Sequence, residues 1–330
     1  MMIKRLLVIT MLMLVHSLVF GQDPQFSQFY SSPLHMAPSF AGASGKTRIT
    51  LNYRDQWPKL PGVFVTYAFA ADHYANDLNS GFGLYFMNDQ AGGGKISTTN
   101  VAGNYSYNVK LSERWNFRPG IKFFYHQYHI DYNKVVFNDQ LGFDYVNPSS
   151  VEIPEDNRFS YFDFGSSIMF YNSRYWIGGM VDHLIKASPS FSDNPNYKPL
   201  SYSVFGGAQI PLEELHYKRN MHSLYTAFHF KQQQNVKQLD VGAYYEKDQF
   251  LVGLWYRGIP LVTKSHGSDA IILMLGYQGD NFSVGYSYDA TISRLITQTG
   301  GAHEISLTYS FSGGDLLNIR EYEPLPCPEF

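Results

Sequence analysis

The sequence predicts an all-β protein, a transmembrane antiparallel β-barrel of about fourteen strands, on three observations. Segments of about ten residues alternate apolar and polar side chains with period two, and ten residues is the length a tilted strand needs to cross a bilayer. The connections sort into short turns on one side and longer loops on the other, an arrangement a soluble sandwich has no reason to adopt. The chain is also rich in rings suited to a membrane interface, with 26 Tyr, 25 Phe and 4 Trp making up 17% of its 330 residues.

The first element, MMIKRLLVITMLMLVHSLVFG, has the layout of a signal peptide. Lys4 and Arg5 precede an apolar run from Leu6 to Phe20, and Val19 and Gly21 occupy the −3 and −1 positions of a cleavage site. Residues 1–21 are therefore expected to be removed, leaving Gln22 first. The apolar run falls short of the roughly 20 residues a spanning helix needs. No later run approaches that length and mean hydropathy is −0.24, so membrane helices are not expected.

Residues 22–45 form the second element, a periplasmic or lumenal segment. The stretch QDPQFSQFYSSPLHMAPSFAGA holds three prolines among Gln, Ser and Phe, a mixture that fits no regular helix or strand. A barrel of about fourteen strands encloses space that must be water-filled or plugged. The segment is expected to emerge on the periplasmic side before the first strand and fold into the lumen. Phe26, Phe29, Tyr30 and Phe40 would be its packing groups, and its prolines would avoid any need for ladder partners.

The barrel is expected over residues 46–312. In KTRITLNYRD, Ile49, Leu51 and Tyr53 share one face and Arg48, Thr50, Asn52 and Arg54 the other. NFSVGYSYD and HEISLTYSF alternate in the same way, with one parity suited to lipid and the other to water. Strands are read near 46–55, 61–72, 80–89, 96–108, 115–127, 159–171, 174–183, 200–210, 220–231, 236–247, 249–259, 268–279, 281–290 and 302–312. The tightest turns, NS, KD and GD, all fall in the set assigned to the periplasm, together with HYANDLN, VKLSER and PLEELHYKR. The stretch from Tyr128 to Arg158 is the longest loop of the surface set. Glycines inside the strands, Gly81, Gly120 and Gly285 among them, relieve curvature and crowding. The last element, residues 313–330, reads as a periplasmic tail whose EPLPCPEF ending favours an extended chain.

Little of this carries catalytic chemistry. Cys327 is the single cysteine, so no intrachain disulfide and no cysteine-based zinc site can form. It is either a plain tail cysteine or an intermolecular thiol. A formal charge of −3 offers no field for nucleic acid. His126 and His129, three apart, lie on opposite strand faces and read as a lumen residue and an interface residue, not as metal ligands. The pair Glu213-Glu214 reads as a solvated turn. Asp289, His303 and Glu304 read as a self-satisfying polar ladder in the lumen or, more sharply, as a docking patch near the rim. No Ser/His set of a barrel enzyme is legible, and no cofactor is expected.

Three places resemble one family. QDPQFSQFYSSPLHMAPSFAG, followed at the expected distance by LNYRDQWPKLPGVFVTYAFAAD, is similar to the mature amino-terminus of the PorP/SprF membrane proteins of the type IX secretion system. The resemblance resumes in NFSVGYSYDATISRLITQTGGAHEISLTYSF and in the closing CPEF, and it spans the whole mature chain. The family's Asn-Pro pairs are Ser32-Pro33 and Ala37-Pro38 here. Ser can replace the Asn side-chain bond to nearby backbone, whereas Ala cannot.

The resemblance implies a non-enzymatic outer-membrane component in a Gram-negative bacterium, embedded in the lipid bilayer. Its partners would be type IX machinery subunits, such as a periplasmic peptidoglycan-linked ring, or the C-terminal domain of a secreted adhesin held at the cell surface, as in gliding motility. The candidate partner-binding or lumenal residues are Gln25, Phe26, Ser27, Gln28, Phe29, Pro33, Pro38, Arg54, Trp57, Asp289, His303, Glu304 and Cys327. The alternative is a channel or hydrophobic-ligand transporter of the porin or fatty-acid-carrier kind.

Overall fold

The computed structural model describes residues 23–60, 62, 64–93, 96–141, 149–151, 153–154, 156–185, 197–212, 222–259, 270–292, 299–311 and 325–326. The expected signal peptide, Glu213-Glu214, Cys327 and most of the tail lie outside these residues.

Alternating sequence becomes one antiparallel sheet. Its strands are β1 (Thr47–Gln56), β2 (Val65–Ala75), β3 (Ser80–Ala91), β4 (Ile96–Tyr107), β5 (Val109–Lys110), β6 (Asn116–Ile130), β7 (Arg158–Tyr171) and β8 (Tyr175–Asp182). They continue through β9 (Ser201–Pro211), β10 (His222–Gln233), β11 (Val236–Lys247), β12 (Phe250–Arg257), β13 (Ala270–Gln278), β14 (Phe282–Thr291) and β15 (Ala302–Phe311). The two-residue β5 pairs only with the start of β6, and β4 pairs directly with β6. β1 pairs with β15 from Thr47↔Phe311 to Gln56↔Ala302. The remaining fourteen strands thus close on themselves as a barrel, as the alternation predicts. No helix among the described residues is long and apolar enough to cross a membrane.

One end of the barrel carries the start of β1, the end of β15 and the turns at 76–79, 172–174, 248–249 and 279–281. The same end carries the longer connections from β4 to β6 and from β9 to β10, and the other end carries most of the long ones, among them 131–157, 183–200, 258–269 and 292–301, together with the short link at 92–95. One turn breaks the expected sorting: β10 and β11 pair from Gln233↔Val236, so a two-residue turn at Gln234–Asn235 sits at the long-loop end. Gln234 takes a left-handed φ of 51° there, which closes the hairpin without a loop.

The outward parity is apolar and unprotected, with Leu84 65% and Phe123 62% exposed, as a surface meeting acyl chains must be. The inward parity departs from expectation. On β1, β14 and β15 it is polar, with Arg48, Thr50, Asn52, Arg54, Ser287 and Glu304 buried. On β7 to β13 it is mixed: Met169, Trp176, Phe205, Tyr244, Trp255 and Ile272 are buried in one apolar cluster, beside buried polar residues that include Asp163, Ser203, Ser223, Asp240 and Arg257. That half of the lumen is a packed core with polar groups set into it and not a uniformly polar wall.

Residues 23–44 fill this lumen, joining the wall cluster through Phe29, Tyr30, Met36, Ala37 and Phe40. Phe26 and Leu34 join a second cluster with Tyr85, Met87 and Phe124. The prolines act as starters: Pro33 opens a single helical turn, Pro33–Met36, and Pro38 opens a 3-10 turn, Pro38–Phe40. Neither Ser32 nor Ala37 makes a side-chain cap, so the expected Ser-for-Asn replacement has no counterpart in hydrogen bonding.

The segment runs the length of the lumen. Ala43 lies beside the start of β1 at the short-turn end, whereas Asp23 reaches His183, Lys198 and Gln233 at the long-loop end. The chain therefore traverses the barrel before β1 begins. Of the tail, Leu325 packs beneath the plug and donates from its N–H to Ala43 O at 3.4 Å.

Wall glycines give the plug its clearance. A Cβ on Gly81 would fall 1.8 Å from Ala41 O, and one on Gly120 would fall 2.4 Å from Ser39 N, both backbone atoms that cannot step aside. By contrast, nothing lies within 4 Å of a Cβ placed on Gly103 in the same sheet. Gly81→Ala is expected to destabilise the folded barrel by about 1–3 kcal/mol, with Gly103→Ala near neutral. The midpoint of the heat-induced shift in gel mobility measures both, and equal behaviour of the two variants would contradict this path for the plug.

Candidate functional site

The site is built where the plug meets the seam. Arg54 and Glu304 stand directly opposite each other across the β1–β15 ladder, and both point inward because they share parity with Asn52 and Ser306. Arg54 Nη1 donates to Glu304 Oε2 at 3.0 Å and Nη2 to Asp289 Oδ2 at 2.9 Å. Arg257, at the end of β12, donates to Asp289 Oδ2 at 3.0 Å and to Asp240 Oδ1 at 3.2 Å. All five side chains are buried.

This network grips the plug by its backbone. Glu304 accepts from Ser27 N at 2.7 Å and Gln28 N at 3.0 Å. The Ser27 hydroxyl donates to Asp289 at 2.5 Å and accepts from Arg54 at 2.6 Å and Arg257 at 2.9 Å. Gln28 donates from its amide to Ser287 Oγ and Glu304 O, and its Oε1 accepts from the Ser306 hydroxyl. An isolated buried charge would cost several kcal/mol, so the geometry works only because each ion finds partners in the others and in the plug.

A second grip lies at the short-turn end. Asp72, opposite Arg48 in the β1–β2 ladder, accepts from Gly42 N at 2.8 Å and from Arg48 Nε at 3.0 Å. Arg118, wholly buried, donates to Ala41 O at 2.6 Å while its guanidinium lies over the Tyr74 ring. Between the two grips, Phe29 meets Trp255 edge-to-face at 4.7 Å. His35 packs on Phe26 and shares a hydrogen bond with the Tyr85 hydroxyl.

Of the residues expected from sequence, Ser27, Gln28, Arg54, Asp289 and Glu304 converge on one network. Gln25 is half-buried against the lumenal cavity, and Phe26, Phe29, Pro33 and Pro38 are buried plug residues. His303 diverges from Glu304 and faces outward, where its Nδ1 pairs with the Tyr286 hydroxyl at 2.8 Å. A lumenal ladder that includes His303 is therefore corrected. Trp57 belongs to the long-loop end, with its ring against Phe64 and its N–H on Gly301 O. Asp72, Arg118, Asp240 and Arg257 escape notice in the sequence, and Arg48 is read there only as part of the polar face of its strand, although each is a charge on the inward parity of a strand.

The lumen retains a cavity of about 90 Å³ beside Asp23, Gln25, His35, His126, His183 and Lys231. Burial opposes the charge on Asp23, but Lys198 and His183 more than offset this and hold its carboxyl well below the usual range. The start of the plug is thus anchored as an anion among cations.

A family model described as type IX secretion system membrane protein PorP/SprF matches residues 18–309. No curated protein matches the chain. Among solved structures, a triple mutant of the Rhodopseudomonas blastica porin is 8% identical with a TM-score of 0.36, covering 81% of this chain and 99% of the porin. The KdgM porin is 11% identical with a TM-score of 0.35, covering 80% and 99%. At that distance neither bears on function.

The charge count at the seam makes the two sides of the network unequal, because Arg54 and Arg257 face Asp240, Asp289 and Glu304. Arg54→Met leaves one guanidinium against three carboxylates and is expected to cost about 3–5 kcal/mol. Glu304→Gln keeps one oxygen for one of two plug N–H groups and is expected to cost about 1–3 kcal/mol. Urea unfolding in detergent, followed by tryptophan fluorescence, ranks them, and a larger effect of Glu304→Gln would contradict this account of the network.

Proposed function

The chain belongs to the PorP/SprF family of type IX secretion system membrane proteins, and from that membership we propose that it works as a sealed docking barrel. Membership and the closed barrel make it an outer-membrane component of that system, of a kind that is not enzymatic. Barrels of this type place short turns in the periplasm and long loops outside, so Asp23 lies toward the cell exterior and Ala43 toward the periplasm.

The observation that carries the docking reading is the filled lumen. With residues 23–44 packed into two clusters and held at both ends, little space remains for solute passage. A hydrophobic-ligand carrier calls for an enclosed pocket of roughly 300–1,000 Å³, whereas the cavity beside the plug measures about 90 Å³ and the larger groove of about 490 Å³ is lined by exposed wall residues such as Trp115, Tyr175 and Ile177. Work left to such a barrel is done at its two rims. The loop after β6 supports an outer contact surface, since Val136 is 54%, Leu141 59% and Val151 95% exposed beyond the end of the strand. On this reading the loops receive a secreted adhesin's C-terminal domain and the periplasmic rim receives machinery subunits.

Crosslinking in cells followed by affinity purification should recover a type IX subunit or an adhesin C-terminal domain, and recovery of neither overturns the reading. The channel alternative is tested in planar bilayers. The intact chain should conduct poorly and the 24–42 deletion should conduct more, provided the deleted form still shows the folded band on unheated gels. High conductance of the intact chain would favour a porin.

A further inference from the structure

Near the long-loop end, three strands and the plug bring His126, Asp163 and His183 together, and one donor atom from each lies within 4.8 Å of the other two. His126, on β6, is paired in register with Asn100 on β4 and with Tyr161 on β7. Its Nδ1 is hydrogen-bonded to Asn100 Oδ1. An amide oxygen only accepts, so Nδ1 carries the ring proton and Nε2 keeps a lone pair. That Nε2 is buried without a hydrogen-bond partner, in a residue only 5% exposed. Its ring stacks on Tyr161 at 4.9 Å, which fixes its aim.

His183 follows β8 and is held at a φ of 63°, a left-handed conformation that costs a non-glycine residue about 1–3 kcal/mol. The strain brings its Nδ1 to 2.7 Å from Asp163 Oδ2 while Nε2 lies 2.9 Å from Asp23 Oδ2. Asp163 is fixed in turn, its Oδ1 accepting from Phe164 N and Ile185 N. A hydrogen-bond network alone accounts for His183 but leaves the buried Nε2 of His126 with no task.

We propose that His126 Nε2, His183 Nδ1 and Asp163 Oδ2 bind a divalent transition-metal ion, zinc in the first instance. Two imidazoles and one carboxylate are a donor set suited to zinc, which holds such atoms at about 2.0–2.2 Å. Ligand atoms in a tetrahedral shell of that radius sit about 3.3 Å apart, so the ion would replace the proton shared by His183 Nδ1 and Asp163 Oδ2, releasing it to solvent and widening that pair from 2.7 Å, and His126 Nε2, now within 4.8 Å, would move in. The outer layer is already in place. Asn100 orients His126, and Asp23 accepts from His183 Nε2, the carboxylate–histidine–metal arrangement that fixes tautomer and ring orientation. The fourth position would face the lumenal cavity, which His126 and His183 both line. Through Asp23, the ion would tie the outer end of the plug to the wall. The sequence hides this set, because the pair three residues apart, His126 and His129, is not the pair that meets.

The test uses the full mature chain in detergent, carrying no histidine tag, stripped with chelator and then dialysed against zinc chloride. Elemental analysis should find about one zinc per chain, and zinc should raise the unfolding midpoint. His126→Phe keeps the stack on Tyr161 and should abolish both effects while retaining the folded gel band. Asn100→Ala should weaken binding by roughly 10–100-fold. Only trace zinc in folded wild type, or a full equivalent retained by His126→Phe, overturns the proposal. If His126→Phe does not fold, cobalt(II) added to wild type decides, because visible d–d bands of four-coordinate cobalt support the site and their absence overturns it.

Discussion

A strand that meets hydrocarbon must have every N–H and C=O paired, because no water is there to take their place. Here that requirement falls on the joint between the first and last spanning strands, where Thr47 to Gln56 lie against Phe311 to Ala302. The same joint sets Arg54 opposite Glu304, so closing the sheet also assembles the network that holds Ser27 and Gln28. Registration matters for both. A slip of β1 by one residue against β15 would turn Leu51 inward and Arg54 toward lipid while Glu304 stayed in the lumen without its partner.

The lumen is divided accordingly. Where the wall is charged, the plug presents backbone and small polar groups. Where the wall is aromatic, the plug presents Phe29, Tyr30 and Phe40. Glycines such as Gly81, whose Cβ would fall 1.8 Å from the backbone oxygen of Ala41, mark places where wall and plug come too close for a side chain.

Period-two alternation carried the strand count and the outward face, because lipid imposes one consistent demand on one parity. The inward face was less legible, since it answers to a partner segment far away in sequence. The run AIILMLGYQ of β13 is apolar on both parities, which already argues for a dry interior. Likewise, charges at Arg48, Asp72, Arg118, Asp240 and Arg257 sit on inward positions, where an unpartnered ion would be costly. Read together, those two signals call for a lumen that is packed and cross-linked by ion pairs. What no local pattern supplied was direction. That Asp23 lies at the far end of the barrel from Ala43 follows only from contacts such as those with His183 and Gln233.

That direction has a mechanical consequence. Only Gly45 and Lys46 separate the inserted segment from the first residue of β1, and Gly42 and Gly45 both adopt left-handed φ values. With so short a leash fixed at one mouth, the stopper cannot be drawn out through the opposite mouth without unzipping the wall it is tied to. It can swing free only toward the end where it is tethered. The tether and the grips at Gly42 and Ala41 thus lie at the same mouth, so the wall and its filling are joined there both covalently and by hydrogen bonds.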